Sequence, residues 1–158
     1  GWVLNVASMA GMMGMPYAAA YCASKAAVVS MTESWVPELK PFGIHTSVLC
    51  PAFVKTRIHE SYRNRQQKYA VAAEKRIDKE KLKAGAQAAT KAVESGIDAS
   101  VLAERVIEAL QSEQTYIYTH PNYRKVTTAR FSAIDSAFVD AEQSQAVGHL
   151  IDDEIVTF

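Results

Sequence analysis

Two residues near the start of the chain, Tyr21 and Lys25, have the types and spacing that proton transfer requires. They lie four positions apart in an alanine-rich helical pattern, so their side chains share one face about one turn apart. An ammonium group held near a phenol favours the phenolate, which makes a tyrosine a usable acid and base near neutral pH. The same pair is also common on solvent-exposed helices, so the pair alone does not establish a site.

Ser8 lies where a short apolar run, Trp2 to Ala7, comes to an end. Such a run is typical of a strand buried on both faces in a parallel sheet. Open parallel sheets bind their ligands beyond the carboxyl ends of the strands, where the Ser8 hydroxyl can hydrogen-bond a substrate oxygen. A serine after a strand is also an ordinary strand terminator, so Ser8 alone is a weak signal as well.

The elements that must position these residues alternate between strands and helices. We predict strands at 2–7, 44–50 and 116–119, helices at 18–39 and 123–139, one or two exposed helices at 57–94, and a helix capped by Asp98 or Ser100. The capped helix is expected to bury Val101, Leu102, Val106, Ile107 and Leu110, and the last helix presents Val126, Phe131, Ile134 and Phe138. This alternation predicts an α/β fold with parallel strands and crossover helices.

Three motifs in order resemble the short-chain dehydrogenase/reductase family. They are Asn5-Val6-Ala7-Ser8-Met9-Ala10-Gly11 followed by Pro16, then Tyr21-Cys22-Ala23-Ser24-Lys25-Ala26-Ala27, then Cys50-Pro51-Ala52-Phe53-Val54-Lys55-Thr56. The family has a serine thirteen residues before the tyrosine of Y-x-A-S-K, the separation of Ser8 from Tyr21, and a P-G-x-V-x-T turn further along. The resemblance covers nearly the whole chain. It implies one Rossmann-like, doubly wound parallel sheet, of which residues 1–158 form the C-terminal catalytic part, with the fifth to seventh strands and their helices.

The resemblance also implies an activity, namely NAD(P)-dependent hydride transfer between a nicotinamide cofactor, NAD or NADP, and an alcohol or ketone. Ser8 would polarise the substrate oxygen, Tyr21 would transfer the proton, and Lys25 would hold the nicotinamide ribose and favour the phenolate. Thr56 would contact the nicotinamide carboxamide. The implied cofactor-binding residues are Tyr21, Lys25, Pro51, Ala52, Val54 and Thr56. The cofactor carries out the redox step, and the protein supplies position and proton handling.

A methionine-rich loop between Ser8 and Tyr21 would line the substrate cleft in a member of this family. The implied pocket residues are Met9, Ala10, Met13, Met15 and Tyr17. Methionines make an adaptable apolar wall, which favours an apolar substrate, although some of them could instead fill the core beneath the loop. By the same resemblance, residues 57–97 would cover the substrate. The helix at 18–39 would pack against its copy in a homo-oligomer, a dimer or tetramer.

The sequence departs from the family pattern in three places. Ala52 replaces the glycine of the turn and Ala7 replaces the first of two serines, and we expect both changes to be tolerated. The family's glycine-rich pyrophosphate turn, G-x-x-x-G-x-G, does not occur in the sequence, so we expect a fragment that does not turn over substrate by itself. Two alternatives stay open: a non-enzymatic remnant or interaction module of the same fold, and a sugar-nucleotide epimerase or dehydratase, whose serine or threonine lies farther before the tyrosine.

The composition argues against several other classes of function. Lysine plus arginine equal aspartate plus glutamate at 17 each, and the basic stretch Lys55 to Lys91 contains interleaved acidic residues, so we interpret it as a solvated helical face rather than a nucleic-acid surface. No apolar run approaches the roughly 20 residues that span a membrane, and the histidines lack metal-ligand spacing. Cys22 and Cys50 are interpreted as reduced thiols of a cytoplasmic protein.

Overall fold

The computed structural model describes residues 1–64, 66–69 and 79–155, and within these ranges it gives no side-chain detail for residues 62, 69 and 79–82. The strands are β1 (Trp2–Val6), β2 (His45–Cys50) and β3 (Tyr116–Tyr118). The helices are α1 (Ala19–Leu39), α2 (Lys79–Glu94), α3 (Ala99–Gln111) and α4 (Arg124–Glu142). The predicted alternation of strands and helices is therefore confirmed.

The three strands form one parallel sheet in the order β1-β2-β3. At its carboxyl edge Val6 pairs with Leu49, and Cys50 pairs with Tyr118. The residues that follow β1 and β2 therefore leave the sheet side by side at this edge, which is where open α/β sheets bind ligands. The predicted α/β fold with parallel strands is correct.

Helix α1 covers one face of the sheet because its inward residues repeat at helical spacing. Cys22, Val29 and Thr32 are buried along it, and Asn5 Nδ2 of β1 donates a hydrogen bond to Thr32 Oγ1 over 3.0 Å. Lys25 falls within the same spacing, three residues after Cys22 and seven before Thr32, so it lies on the face turned toward the sheet. After α1 and one 3-10 turn, Gly43 adopts φ of +66°, a left-handed conformation that glycine permits.

Helix α3 covers the opposite face. Its residue Ala109 forms a buried core with Leu49 and Ile117 of the sheet, and the half-buried residues packed on this core are Leu4, Leu102, Val106 and Leu110. The prediction that Val101 and Ile107 are also buried was wrong, since they are 48% and 56% exposed. Only a narrow stripe of α3 meets the three-stranded sheet, and these two residues flank it.

The long polar segment after β2 contains short 3-10 turns at Ile58–Asn64 and Gln67–Tyr69 before α2 begins. The described parts of the predicted helical segment 57–94 are thus mostly helical, with α2 as their one α-helix, whereas residues 65 and 70–78 lie outside the described ranges. After α2 the chain returns to the turn that follows β2, where Val54 and Ile97 form an isolated parallel bridge.

Residues 1–120 form one compact unit and residues 121–158 a second. The second unit contains α4 and a 3-10 turn at Gly148–Asp152. The apolar residues predicted for the last helix, Val126, Phe131, Ile134 and Phe138, are exposed on α4. Across the described ranges, no helix combines the length and apolar character that crossing a membrane requires.

Candidate active site

Ser8 is held at the carboxyl edge of the sheet by backbone hydrogen bonds on both sides of it. The Ala7 N–H donates to Leu49 O over 2.8 Å, and the Met9 N–H donates to Pro51 O over 2.9 Å. The Ser8 hydroxyl accepts a hydrogen bond from the Ala10 N–H at 3.1 Å and lies 3.5 Å from Pro51 O. The position of Ser8 Oγ is therefore fixed, while its contact to Pro51 O is long for an O–H···O bond.

Tyr21 and Lys25 occupy the first two turns of α1, next to the end of β1. Lys25 Nζ donates a hydrogen bond to Val6 O over 3.2 Å and lies 5.9 Å from the centre of the Tyr21 ring. Tyr21 is 41% exposed, so the residue is accessible from solvent. The structure thus brings Ser8, Tyr21 and Lys25 to the same end of the same strand.

Gly11 allows the loop that carries Ser8 to approach α1 closely. A Cβ atom at this position would lie 2.7 Å from Lys25 O and 2.8 Å from Lys25 C, distances that a side-chain carbon cannot adopt. The loop therefore contacts the backbone of the residue whose ammonium group faces Tyr21. In the sequence, Gly11 stands out only as part of the motif that follows β1, which gives no direct sign of this contact.

Cys50, the last residue of β2, is fully buried beside Ser8. Burial raises the pKa of the Cys50 thiol to about 11, although a hydrogen bond from the Ser8 backbone lowers it in part. The thiol therefore stays protonated near neutral pH and is a poor nucleophile. In the described part of the chain, no group of three or more His, Cys, Asp or Glu residues is placed to hold a metal ion.

The turn after β2 carries the remaining predicted cofactor residues. Pro51, Ala52 and Val54 are half-buried, and Thr56 is exposed. Ala52 does not have a positive φ, so replacing the family's glycine causes no left-handed strain. A shallow depression of about 360 Å³ lies beyond the turn and is lined by Lys55, Thr56, Arg57 and Glu94.

The predicted pocket residues separate into two groups. Met9 and Ala10 are each 4% exposed, and Met12 is also buried, which agrees with the alternative that part of the loop fills the core. Met15 and Tyr17 face solvent, and Met13 is half-buried. Tyr17 has φ of 62°, and a left-handed conformation in a bulky residue is uncommon and strained.

Comparison with known proteins gives a consistent result. A family model described as short chain dehydrogenase matches residues 1–67. The CLA biosynthesis dehydrogenase/reductase of Lactiplantibacillus plantarum is 33% identical over 134 residues, which cover 84% of this chain and 47% of that protein. The C alpha-dehydrogenase of Sphingobium sp. (strain NBRC 103272 / SYK-6) is 30% identical over 134 residues, covering 85% of this chain and 42% of that protein.

A solved structure is also similar to this chain in fold and sequence. The short chain dehydrogenase/reductase from Burkholderia phymatum in complex with NAD has a TM-score of 0.77 and 34% identity, covering 87% of this chain and 49% of that one. This chain spans a little under half the length of each of these three relatives. The parallel sheet, the ordered motifs and these matches lead to one conclusion: the chain belongs to the short-chain dehydrogenase/reductase family.

Proposed function

We propose that the protein is an NAD(P)-dependent oxidoreductase that transfers hydride between a nicotinamide cofactor and an alcohol or ketone. One observation carries the proposal: Lys25 Nζ is anchored to the end of β1 beside the Tyr21 ring, and Ser8 leaves the sheet at that same strand end. A general acid/base and a group that polarises the substrate oxygen are the parts that carbonyl reduction needs from a protein. The relative from Burkholderia phymatum is described in complex with NAD, which supports the choice of cofactor.

The residues at this edge fit the nicotinamide end of such a cofactor. An ammonium group has three N–H donors, and among the described residues Val6 O is the hydrogen-bond acceptor for Lys25. The remaining donors would hold the ribose hydroxyls. Thr56 and the backbone from Pro51 to Val54 would contact the carboxamide. When bound, the nicotinamide supplies the hydride chemistry.

The chain's own residues handle the substrate oxygen and its proton. The Ser8 hydroxyl, held by the Ala10 N–H and only weakly bonded to Pro51 O, can turn its proton toward a substrate oxygen at little cost. Tyr21 would donate the proton to that oxygen in reduction and accept it in oxidation.

The loop before α1 would supply the substrate cleft. Met15 and Tyr17 are solvent-facing and Met13 is half-buried, so these three residues offer an apolar surface next to Ser8 in the chain. Such a surface suits an apolar alcohol or ketone. Residues 57–97 would cover the bound substrate, and the outer face of α1 would meet a second copy of the chain in a homo-oligomer.

Titration of the purified protein with NADH and NADPH, followed by nicotinamide fluorescence, tests this function. The intact mass is measured on the same sample. Saturable binding to a species well above 17.3 kDa is the expected result, because Tyr21, Lys25 and Thr56 would hold only the nicotinamide end of the cofactor. The absence of binding in a sample of that larger mass would contradict the proposal.

A further inference from the structure

The turn after β2 is tied to a segment more than 40 residues further along the chain. The Lys55 N–H donates to Ile97 O over 2.9 Å, and the Ile97 N–H donates to Phe53 O over 3.1 Å. The two hydrogen bonds form the parallel bridge between Val54 and Ile97. The bridge fixes the backbone immediately before Thr56, the residue proposed to contact the nicotinamide.

Gly96 makes this bridge possible by leaving no side chain in its way. A Cβ atom on Gly96 would lie 2.4 Å from Phe53 O and 2.8 Å from Val54 N. These neighbours are backbone atoms, so they cannot swing aside as a flexible side chain could. Any residue larger than glycine would therefore have to push the two backbones apart.

The bridge also connects the turn to the packed core. Ile97 is followed by Asp98 and then by α3, whose residues Leu102 and Val106 pack on the sheet. Before the bridge, Val93 at the end of α2 is buried. The backbone at Gly96 and Ile97, which supports the turn after β2, is thus held by the buried end of α2 before it and by the packed helix α3 after it.

An ion pair joins the same two segments and contributes much less. Lys55 Nζ lies 2.9 Å from Asp98 Oδ1, but the two side chains are 48% and 63% exposed. Solvent and salt screen pairs of this kind, and most of them contribute little. The turn after β2 is therefore joined to the segment at Gly96 and Ile97 mainly by the backbone bridge, which the absence of a side chain on Gly96 allows.

We propose that Gly96 and Ile97 are positioning residues that hold the backbone from Phe53 to Lys55 in place, and with it Thr56, for the nicotinamide end of the cofactor. This inference rests on the proposed function. Neither residue needs to touch the cofactor. Their effect passes through two hydrogen bonds to the turn, so it changes cofactor affinity and turnover together.

The substitution Gly96→Ala in the full-length protein tests the inference, with Gly85→Ala as its matched control. Gly85 lies in α2, and a Cβ atom there would meet nothing within 4 Å. Because a displacement of about 1 Å remote from the chemistry can cost ~100-fold in rate, we expect Gly96→Ala to weaken NADH or NADPH binding by ~10-fold or more. Gly85→Ala and Asp98→Asn should change this affinity by less than about 2-fold.

Amide hydrogen exchange supplies a readout that does not depend on activity. The Lys55 and Ile97 amides should be protected in the unsubstituted protein, and Gly96→Ala should accelerate their exchange while the amides of β2 remain protected. Unchanged exchange at both amides, or unchanged cofactor affinity, in a folded Gly96→Ala protein would overturn the inference. If Gly96→Ala does not fold, rapid exchange of these two amides in the unsubstituted protein would overturn it equally. If the unsubstituted protein binds neither NADH nor NADPH, the proposed function is overturned. This outcome is distinct from the exchange and affinity results that test the role of Gly96 and Ile97.

Discussion

Lys25 Nζ donates a hydrogen bond to the carbonyl oxygen of Val6 over 3.2 Å, which joins the second turn of α1 to the last residue of β1. The acceptor is a backbone atom, so the contact depends on how helix and strand pack and not on the type of side chain at position 6. The bond holds the ammonium group at the carboxyl edge of the sheet, 5.9 Å from the centre of the Tyr21 ring. The packing of α1 on β1 thus places Lys25, and with it Tyr21 one turn earlier on the same helix, at this edge of the sheet.

Replacing Lys25 with Met should weaken cofactor binding while leaving the fold intact. The substitution removes the charged donor proposed for the ribose hydroxyls. Hydrogen bonds to charged groups contribute about 1.5–3 kcal/mol, so we expect NADH or NADPH affinity to fall by roughly 10- to 100-fold. Fluorescence titration measures the change, and Lys40→Met, at the far end of α1, is the control. Equal affinities of the two variants would contradict the role given to Lys25.

Gly11→Ala should destabilise the protein and move the Ser8 loop away from α1. The added Cβ would lie 2.7 Å from Lys25 O, and inserting a carbon into a packed site costs typically about 1–3 kcal/mol. Gly14→Ala is the matched control, because a Cβ at this position in the same loop would meet nothing within 4 Å. Urea unfolding compares the two. A Gly11→Ala protein as stable as Gly14→Ala would show that the close approach is unimportant.

The hydrogen bond between Tyr116 and Glu33 predicts a loss of stability at high pH. The Tyr116 hydroxyl donates to Glu33 Oε1 over 2.5 Å, and this bond, followed by partial burial, raises the pKa of Tyr116 from 10.0 to about 12. Because the folded-state pKa lies above the unfolded one, the contribution is fully present below pH 10. It is lost as the pH rises toward 12, since the unfolded chain releases this proton first.

Ultraviolet titration of tyrosinate measures this effect. In Glu33→Gln the last tyrosine to titrate should do so at a lower pH than in the unsubstituted protein, because the charged acceptor that favours the neutral phenol is gone. The free energy of unfolding of that variant should also fall less steeply between pH 10 and pH 12. Identical titration curves would show that Glu33 does not hold the Tyr116 proton.

The sequence predicts those parts of the structure that depend on local pattern. Apolar runs, together with proline and glycine, predicted strand ends at Ala7 and Cys50 and a helix end at Leu39, and the observed ends are Val6, Cys50 and Leu39. Ser8, Tyr21 and Lys25 could be placed together because one strand and one helix, adjacent in sequence, carry all three. Their roles were implied by the family resemblance and remain proposals.

The remaining features depend on contacts that no local pattern encodes. The bridge between Val54 and Ile97 is a pairing of two backbones, which leaves no signature in side chains. Met9 is buried while Met15, in the same loop, is exposed, because the chain makes a 3-10 turn at Met9–Gly11 before it leaves the sheet edge. Ile107 is likewise exposed because the three-stranded sheet is narrow and contacts only one stripe of α3.

The substitution Tyr21→Phe tests the central claim most directly, with Tyr116→Phe as its control. The two tyrosines are similarly exposed, at 41% and 39%, and each variant loses only a hydroxyl. The full-length proteins are compared in the reduction of a panel of apolar ketones by NADH or NADPH, with cofactor affinity measured on the same samples. We expect Tyr21→Phe to lower kcat by about 10²- to 10⁴-fold, as loss of a general acid does, with the fold retained, whereas Tyr116→Phe keeps its activity. A Tyr21→Phe protein that reduces ketones as fast as Tyr116→Phe would contradict the proposed function.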